Sequence, residues 1–395
     1  MQRSTDRILT THCGSLARPK NLLDLMKSRI SGEPCDPDFY ARQVSGAVLD
    51  VVHKQVEHGI DIPTDGEQGK LGFFSYVSER LGGFEPRPGP RPAMFGAEVD
   101  AFPEYYKQYF SQAMLGSSLT PMVPLVCTGP VSYRGRQQVE RDISNLKAAL
   151  AGLEYRDVFL PSVAPSGVGT NAYYPSDEEY LHAVAQAMGN EYRAIVDAGF
   201  LVQIDDPFLT ELYSYSPLSA GERRRTAEMY VAALNHGLEG IPPEKVRYHT
   251  CYGINEGPRV HDAPLSDIVD VVLKVNAGAY SFEAANARHE HEYHVWESVR
   301  LPDGKVLIPG VVTHASNIVE HPELIAERIL RFARLVGREN VIAGTDCGFS
   351  SQATYNPEIH PTVVWAKFRA MAEGARIATE RLWNRTPLDS SSRKI

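Results

Sequence analysis

The run 321-HPELIAERILRFARLVGRENVIAGTDCG-348 decides how this chain folds. Its first part spaces Leu, Ile, Phe and Val at the 3.6-residue period of an amphipathic helix, with Pro322 in the first turn and Gly337 at the stop. Its second part, Asn340–Gly348, is a short apolar run of strand character that ends in Asp346 and Cys347. Just upstream, 306-VLIPGVVTH-314 is a strand of the same kind ending in His314. Strand, helix and strand in that order make a crossover unit of a parallel sheet.

Working outward, the same unit recurs. Strand-like runs lie at 7-RILTTHCGS-15, 59-GIDIPTDGE-67, 157-DVFLPSVAP-165, 200-FLVQIDDP-207, 246-VRYHTC-251 and 279-AYSFEA-284. Helical stretches separate most of them; 177-DEEYLHAVAQAMGNEYRAIVDAG-199 has Ser176 or Asp177 to cap its start and Gly199 to end it. Eight such units predict a parallel sheet closed into a (β/α)8 TIM barrel, one domain over 1–395. An open doubly wound sheet is the rival, but no G-x-G-x-x-G follows the first strand. A ninth run, 121-PMVPLVCTGPVSY-133, exceeds the count. It is placed on an excursion of about 84–157 between strands two and three, opening on the Pro/Gly-rich 82-GGFEPRPGPRPAMFGAE-98 as a long loop or lid. A tail from about 388 to 395 is expected to fray.

The composition narrows the function. The net charge of −9 with no Lys/Arg cluster argues against nucleic acid. No apolar run of about 18 residues is present to span a membrane, and the N-terminus lacks a signal-peptide pattern, so a cytoplasmic location is expected. Five cysteines, an odd number, do not make a disulfide framework. They are free thiols or metal ligands.

A barrel carries its chemistry on the loops after its strands. Gly14-Ser15, Asp65 and Glu67, Asp205 and Asp206, His249 and Cys251, Glu283, His314, and Asp346 with Cys347 all fall at strand ends. A closed barrel would gather them on one rim. H-x-C puts His249 and Cys251 on one face of a strand, and two thiols with an imidazole suit zinc. Cys347 would come from another strand, and Glu283 would add an oxygen ligand. The competing reading is that His249 and Cys251 merely fill a core strand. A second candidate, 286-NARHEHEYH-294, holds His291 and His294 at helical spacing, but we read it as a solvated charged loop paired locally through Arg288 and its carboxylates. Cys13 is read as core packing near the site mouth, and Cys35 as a loop residue.

Taken together, H-x-C, the later Glu283, "THAS" at 313–316, "TDCGF" at 345–349, "TTHCGS", "TDGEQGK" and "LVQIDDP" resemble the catalytic barrel of cobalamin-independent methionine synthase, from about Leu9 to Trp383. The resemblance implies zinc held by His249, Cys251, Glu283 and Cys347, and a thiol substrate bound to it as thiolate. It implies His314 as a proton donor or relay, Glu67 and Asp205 on a substrate ammonium, and the backbone around Gly14 and Ser15 on its carboxylate. The partners it implies are a small-molecule thiol and an alkyl donor; a homo-oligomer is compatible with the sequence.

The chain also departs from that family. It has no room for an N-terminal barrel half, its counterpart of the Trp-bearing folate segment reads 161-PSVAPSGVGTNAYY-174, and position 206 is Asp. "RHEHE" and "EHPELIAERI" are similar to the short zinc enzymes typified by epoxyalkane:coenzyme M transferase, which join a thiol to an epoxide. Homocysteine, with its ammonium, would suit Glu67 and Asp205; coenzyme M, a sulfonate, would want Arg18, Lys70 or Arg134. A metal-free uroporphyrinogen-decarboxylase-like barrel is the remaining alternative, and it leaves the His and Cys residues without a task.

Overall fold

In a computed structural model, residues 1–73, 75–87, 95–112, 118–119, 123–253 and 257–383 are described. Their strands are β1 (Leu9–Thr10), β2 (Leu81–Pro86), β3 (Leu125–Tyr133), β4 (Phe159–Val163), β5 (Thr170–Asn171), β6 (Leu201–Asp206), β7 (Val246–Thr250), β8 (Ala279–Phe282), β9 (Val306–Val312) and β10 (Ile342–Thr345).

Seven of these form a parallel sheet in the order β1-β10-β9-β8-β7-β6-β4. The run at 59–67 fills the gap between its two edges. Thr11 makes a parallel bridge to Ile62, and the Phe159 amide donates to the Pro63 carbonyl at 3.2 Å. The sheet therefore curls into the expected (β/α)8 barrel. The second position is a bridge and not a full strand: Pro63 has no N–H to give to a ladder, and the chain turns at once through Gly66 and Glu67, both at positive φ. β3 stands apart from the barrel, antiparallel to β2 and parallel to β5, in a separate three-stranded sheet. Much of the Pro/Gly-rich run (88–94) and the whole expected tail lie outside the described residues.

Nearly every barrel position gives an apolar residue to the interior: Leu9, Ile62, Phe159, Leu201, Ala279, Val306, Ile308 and Ile342 form one buried cluster. Beside it the Arg247 guanidinium lies 3.8 Å from the centroid of the Phe159 ring. It donates to Thr11 Oγ1 and the His12 carbonyl, both at 3.0 Å. Burial lowers its pKa to about 10, and the two hydrogen bonds with the aromatic face are what make a charge tolerable there.

The outer helices begin as their sequences direct. Ser176 accepts from the Glu179 amide at 3.2 Å to start helix Asp177–Asp197. Pro322 opens helix Pro322–Val336, where His321 Nδ1 accepts from the Glu323 amide at 3.1 Å. Gly199 and Gly337 take positive φ just past the two helix ends. Among the described residues no helix is long and apolar enough to cross a membrane.

Candidate metal and thiol site

The C-terminal ends of β6, β7 and β10 meet at one point. His249 and Cys251 point the same way from the end of β7, and Cys347 follows β10 by two residues. One donor atom from each of the three lies within 4.8 Å of the other two. All three residues are buried. The sulfurs of Cys251 and Cys347 are 3.3 Å apart, and both cysteines are free thiols.

Register fixes the imidazole. Asp205 pairs with His249 across β6 and β7, and its Oδ1 accepts from His249 Nδ1 and from Gln203 Nε2, each at 2.9 Å. That leaves His249 Nε2, which is buried without a hydrogen-bond partner. A buried ring nitrogen without a partner beside two thiols is a costly arrangement unless something is bound there. The hydrogen bond from Cys347 pulls the Cys251 pKa down, with help from His249, and the same contact pushes Cys347 well up.

Glu283 belongs to an adjoining group with His314 and Asp346, also within 4.8 Å of one another. Its Oε2 meets Arg259 Nη1 at 2.8 Å and Asn286 Nδ2 at 2.7 Å, while Oε1 is buried without a partner. Asp346 is occupied with architecture. Its Oδ1 accepts from the amides of Ala284 and Ala285 at 2.7 and 2.8 Å, which pins the turn carrying Glu283. His314 is buried with neither ring nitrogen in a hydrogen bond. Burial, and secondarily Arg259, holds its pKa well below the ordinary imidazole value.

A cavity of about 670 Å³ opens over the thiols. Ser15, Glu67, Asp205, His249, Cys251 and Cys347 line it, whereas Gly14, Glu283 and His314 do not. The Gly14 amide is engaged with His12 Nδ1 at 3.2 Å. Glu67 reaches the cavity because its backbone sits at φ +56°, with its amide held by Asp65 Oδ1 at 2.9 Å. Its Oε2 has no partner. Burial raises its pKa to about 7, Lys70 opposing and Asp205 adding to the rise. The neighbouring cations are engaged elsewhere. Lys70 donates to the Pro161 carbonyl at 2.6 Å, and Arg18 donates to the carbonyls of Ser350, Glu67 and Lys70 at 2.5, 2.8 and 2.9 Å. Among the described residues no Lys or Arg lines the cavity.

The 286–294 run differs from the solvated loop expected of it. It leads into a short 3-10 helix, Glu290–Glu297. His289 is buried, with Nδ1 2.7 Å from Glu292 Oε2 and Nε2 3.1 Å from Asp262 Oδ2. Glu290 pairs with Arg328 and Arg331 of the following helix, not with Arg288. Arg288, His291 and His294 are exposed as expected, while His289 and Glu290 are taken into packing and pairing. Cys13 combines both readings: it is buried, and it lines the cavity. Sequence reasoning missed Arg259, Asn286 and Glu211. Arg259 and Asn286 sit in loops with no local pattern; Glu211 carries a signal, because Phe208, Glu211 and Tyr215 are spaced to share one helical face after β6.

Residues 173–367 match the family model described as the catalytic domain of cobalamin-independent synthase. The methionine synthase of Sulfurisphaera tokodaii is 23% identical over 379 residues, covering 95% of this chain and 94% of that one. The methionine synthase of Saccharolobus solfataricus is 23% identical over 377 residues, covering 94% and 95%. The solved B12-independent methionine synthase from Shewanella sp. W3-18-1, in complex with selenomethionine, superposes with a TM-score of 0.72 at 19% identity, covering 96% of this chain and all of that one. A putative vitamin-B12-independent methionine synthase from Listeria monocytogenes gives 0.66 at 19% identity, covering 94% and 98%.

Proposed function

Because the chain belongs to the cobalamin-independent synthase superfamily, and is by that membership a transferase, we propose that it methylates a small amino-acid thiol, homocysteine or a close relative, at a zinc site. His249, Cys251 and Cys347 would hold the metal, with Glu283 as a fourth ligand. The observation that carries the reading is the unpartnered His249 Nε2 beside the Cys251 and Cys347 sulfurs. The donor set fits zinc in softness and number, and Glu283 Oε1, buried without a partner in the adjoining group, is free to serve as an oxygen ligand.

When bound, zinc lowers the pKa of a coordinated thiol so that it is present as thiolate. The chain's own residues do the rest. Asp205 takes the Nδ1 proton of His249 into a hydrogen bond, which keeps Nε2 as the ligating atom. As thiolates, Cys251 and Cys347 would preserve electron density at a bound zinc, so that a substrate sulfur would stay nucleophilic. Glu67, which lines the cavity wall with Asp205, would bind the substrate ammonium. A buried carboxylate in no ion pair, as at Glu67, whose Oε2 has no partner, favours a cationic ligand. A sulfonate thiol such as coenzyme M would find no arginine or lysine among the described lining residues, and the structure favours homocysteine over it for that reason.

The test is optical. Cobalt-substituted protein is titrated with homocysteine and, separately, with coenzyme M. A new sulfur-to-cobalt charge-transfer band with homocysteine supports the reading. A band with coenzyme M alone overturns the choice of thiol, and no band with either overturns metal–thiol chemistry.

A further inference from the structure

The outer part of the cavity poses its own question, since nothing proposed so far uses it. Helix Phe208–Ser214 follows β6 and brings Phe208 and Glu211, with Tyr215 just past its end, to the cavity lining. The Tyr215 ring meets Phe95 edge to face at 6.0 Å. Phe84 and Tyr252 extend the aromatic lining. Glu211 has no hydrogen bond or ion pair from its side chain among the described residues, and it keeps accessible surface. It is exposed on the cavity lining, and the surrounding protein pushes its pKa up to about 7.

We propose that this chamber binds the alkyl donor, and that the donor is an onium compound: a sulfonium or quaternary ammonium whose cationic centre sits against the rings of Phe208, Tyr215 and Phe95 beside the Glu211 carboxylate. The inference rests on the thiol-methyltransferase reading above. Aromatic faces attract such cations strongly when water is excluded, and a carboxylate among them supplies the countercharge. An anionic donor, such as a folate with a glutamate tail, would meet Glu67, Asp205 and Glu211 with no Lys or Arg among the described lining residues to offset them.

The reaction balances without an acid. The thiolate sulfur gives its electron pair to the methyl carbon, and the carbon–heteroatom bond breaks with its pair going to sulfur or nitrogen. The products are a neutral thioether and a neutral thioether or tertiary amine. One negative and one positive charge vanish together and no proton moves. That agrees with His314, the proton donor the family resemblance implies, lying outside the cavity lining.

The test compares choline, a non-reactive quaternary ammonium, with its neutral isostere 3,3-dimethylbutan-1-ol by calorimetry on the metal-loaded protein. Choline is expected to bind at least about tenfold more tightly, and Glu211→Gln to cut that preference to near parity while leaving the isostere unaffected. Equal binding of the two, or a preference that survives Glu211→Gln, overturns the inference. Homocysteine methylation is then assayed with S-methylmethionine, with glycine betaine and with methylfolate triglutamate. Turnover with S-methylmethionine alone assigns a sulfonium, with betaine alone a quaternary ammonium, and with methylfolate alone it overturns the inference. Iodomethane, which needs no recognition, separates the two failures: accelerated methylation by it alone retains the thiol-transferase reading and removes the onium donor, whereas no acceleration with any donor removes both.

Discussion

Asp205 Oδ1 accepts a hydrogen bond from His249 Nδ1 at 2.9 Å, and the two residues face each other in register across β6 and β7. The sheet itself thus sets which imidazole nitrogen faces the two thiols. Asp205→Asn keeps the shape but loses the charge that fixes this tautomer. Zinc affinity is expected to fall by about 10- to 100-fold, measured by competition with a chromogenic chelator. Affinity equal to wild type would show that Asp205 does not orient His249.

Glu67 gives a pH signature. Its pKa is raised to about 7 from 4.5, so the carboxylate is largely neutral at pH 6 and charged at pH 8. Only the charged form attracts an ammonium. The KM for homocysteine is therefore expected to fall as pH rises through about 7, and Glu67→Gln should flatten that change and raise KM at pH 8. A pH-independent KM in the wild type would separate Glu67 from the ammonium. The sign for stability is opposite. A carboxylate whose folded pKa lies above its unfolded value favours folding at low pH and gives that up as pH climbs from about 4.5 to about 7.

Arg259 is buried between Asp262 Oδ2 and Glu283 Oε2, each 2.8 Å away. Arg259→Met would leave the buried Glu283 carboxylate without its cation and Asp262 with His289 alone. The expected loss is about 3–5 kcal/mol of stability, read as a lower denaturation midpoint in urea for the metal-free protein. A change below about 1 kcal/mol, the scale of an exposed pair, would contradict the pairing.

Gly310 in β9 has no room for a side chain. A Cβ there would overlap Asp346 Oδ1 and lie 2.8 Å from the Asp346 backbone. Because Asp346 pins Ala284 and Ala285, Gly310→Ala should displace the turn bearing Glu283 as well as cost about 1–3 kcal/mol from overpacking. Thermal unfolding and metal content together check this, and a variant unchanged in both would contradict it.

Much of this was legible in the sequence, for identifiable reasons. The crossover units were readable because buried parallel strands are short apolar runs and the helices between them carry a 3.6-residue period, as in 306–348. The gathering of His249, Cys251 and Cys347 followed from their places at strand ends. Residues whose role depends on partners distant in the chain were not readable. Arg259 reaches Glu283 from an irregular loop, and Glu290 finds Arg328 on a later helix. The short bridge at Ile62 was overestimated as a strand because apolar alternation hides the missing Pro63 donor.

The most direct test of the central claim is zinc per chain by elemental analysis, for the wild type and for Cys347→Ser purified identically, with circular dichroism to verify that both are folded. The account predicts about one zinc per wild-type chain and little or none in the folded variant. A wild type that folds without metal, or a variant that holds as much zinc as the wild type, would contradict it.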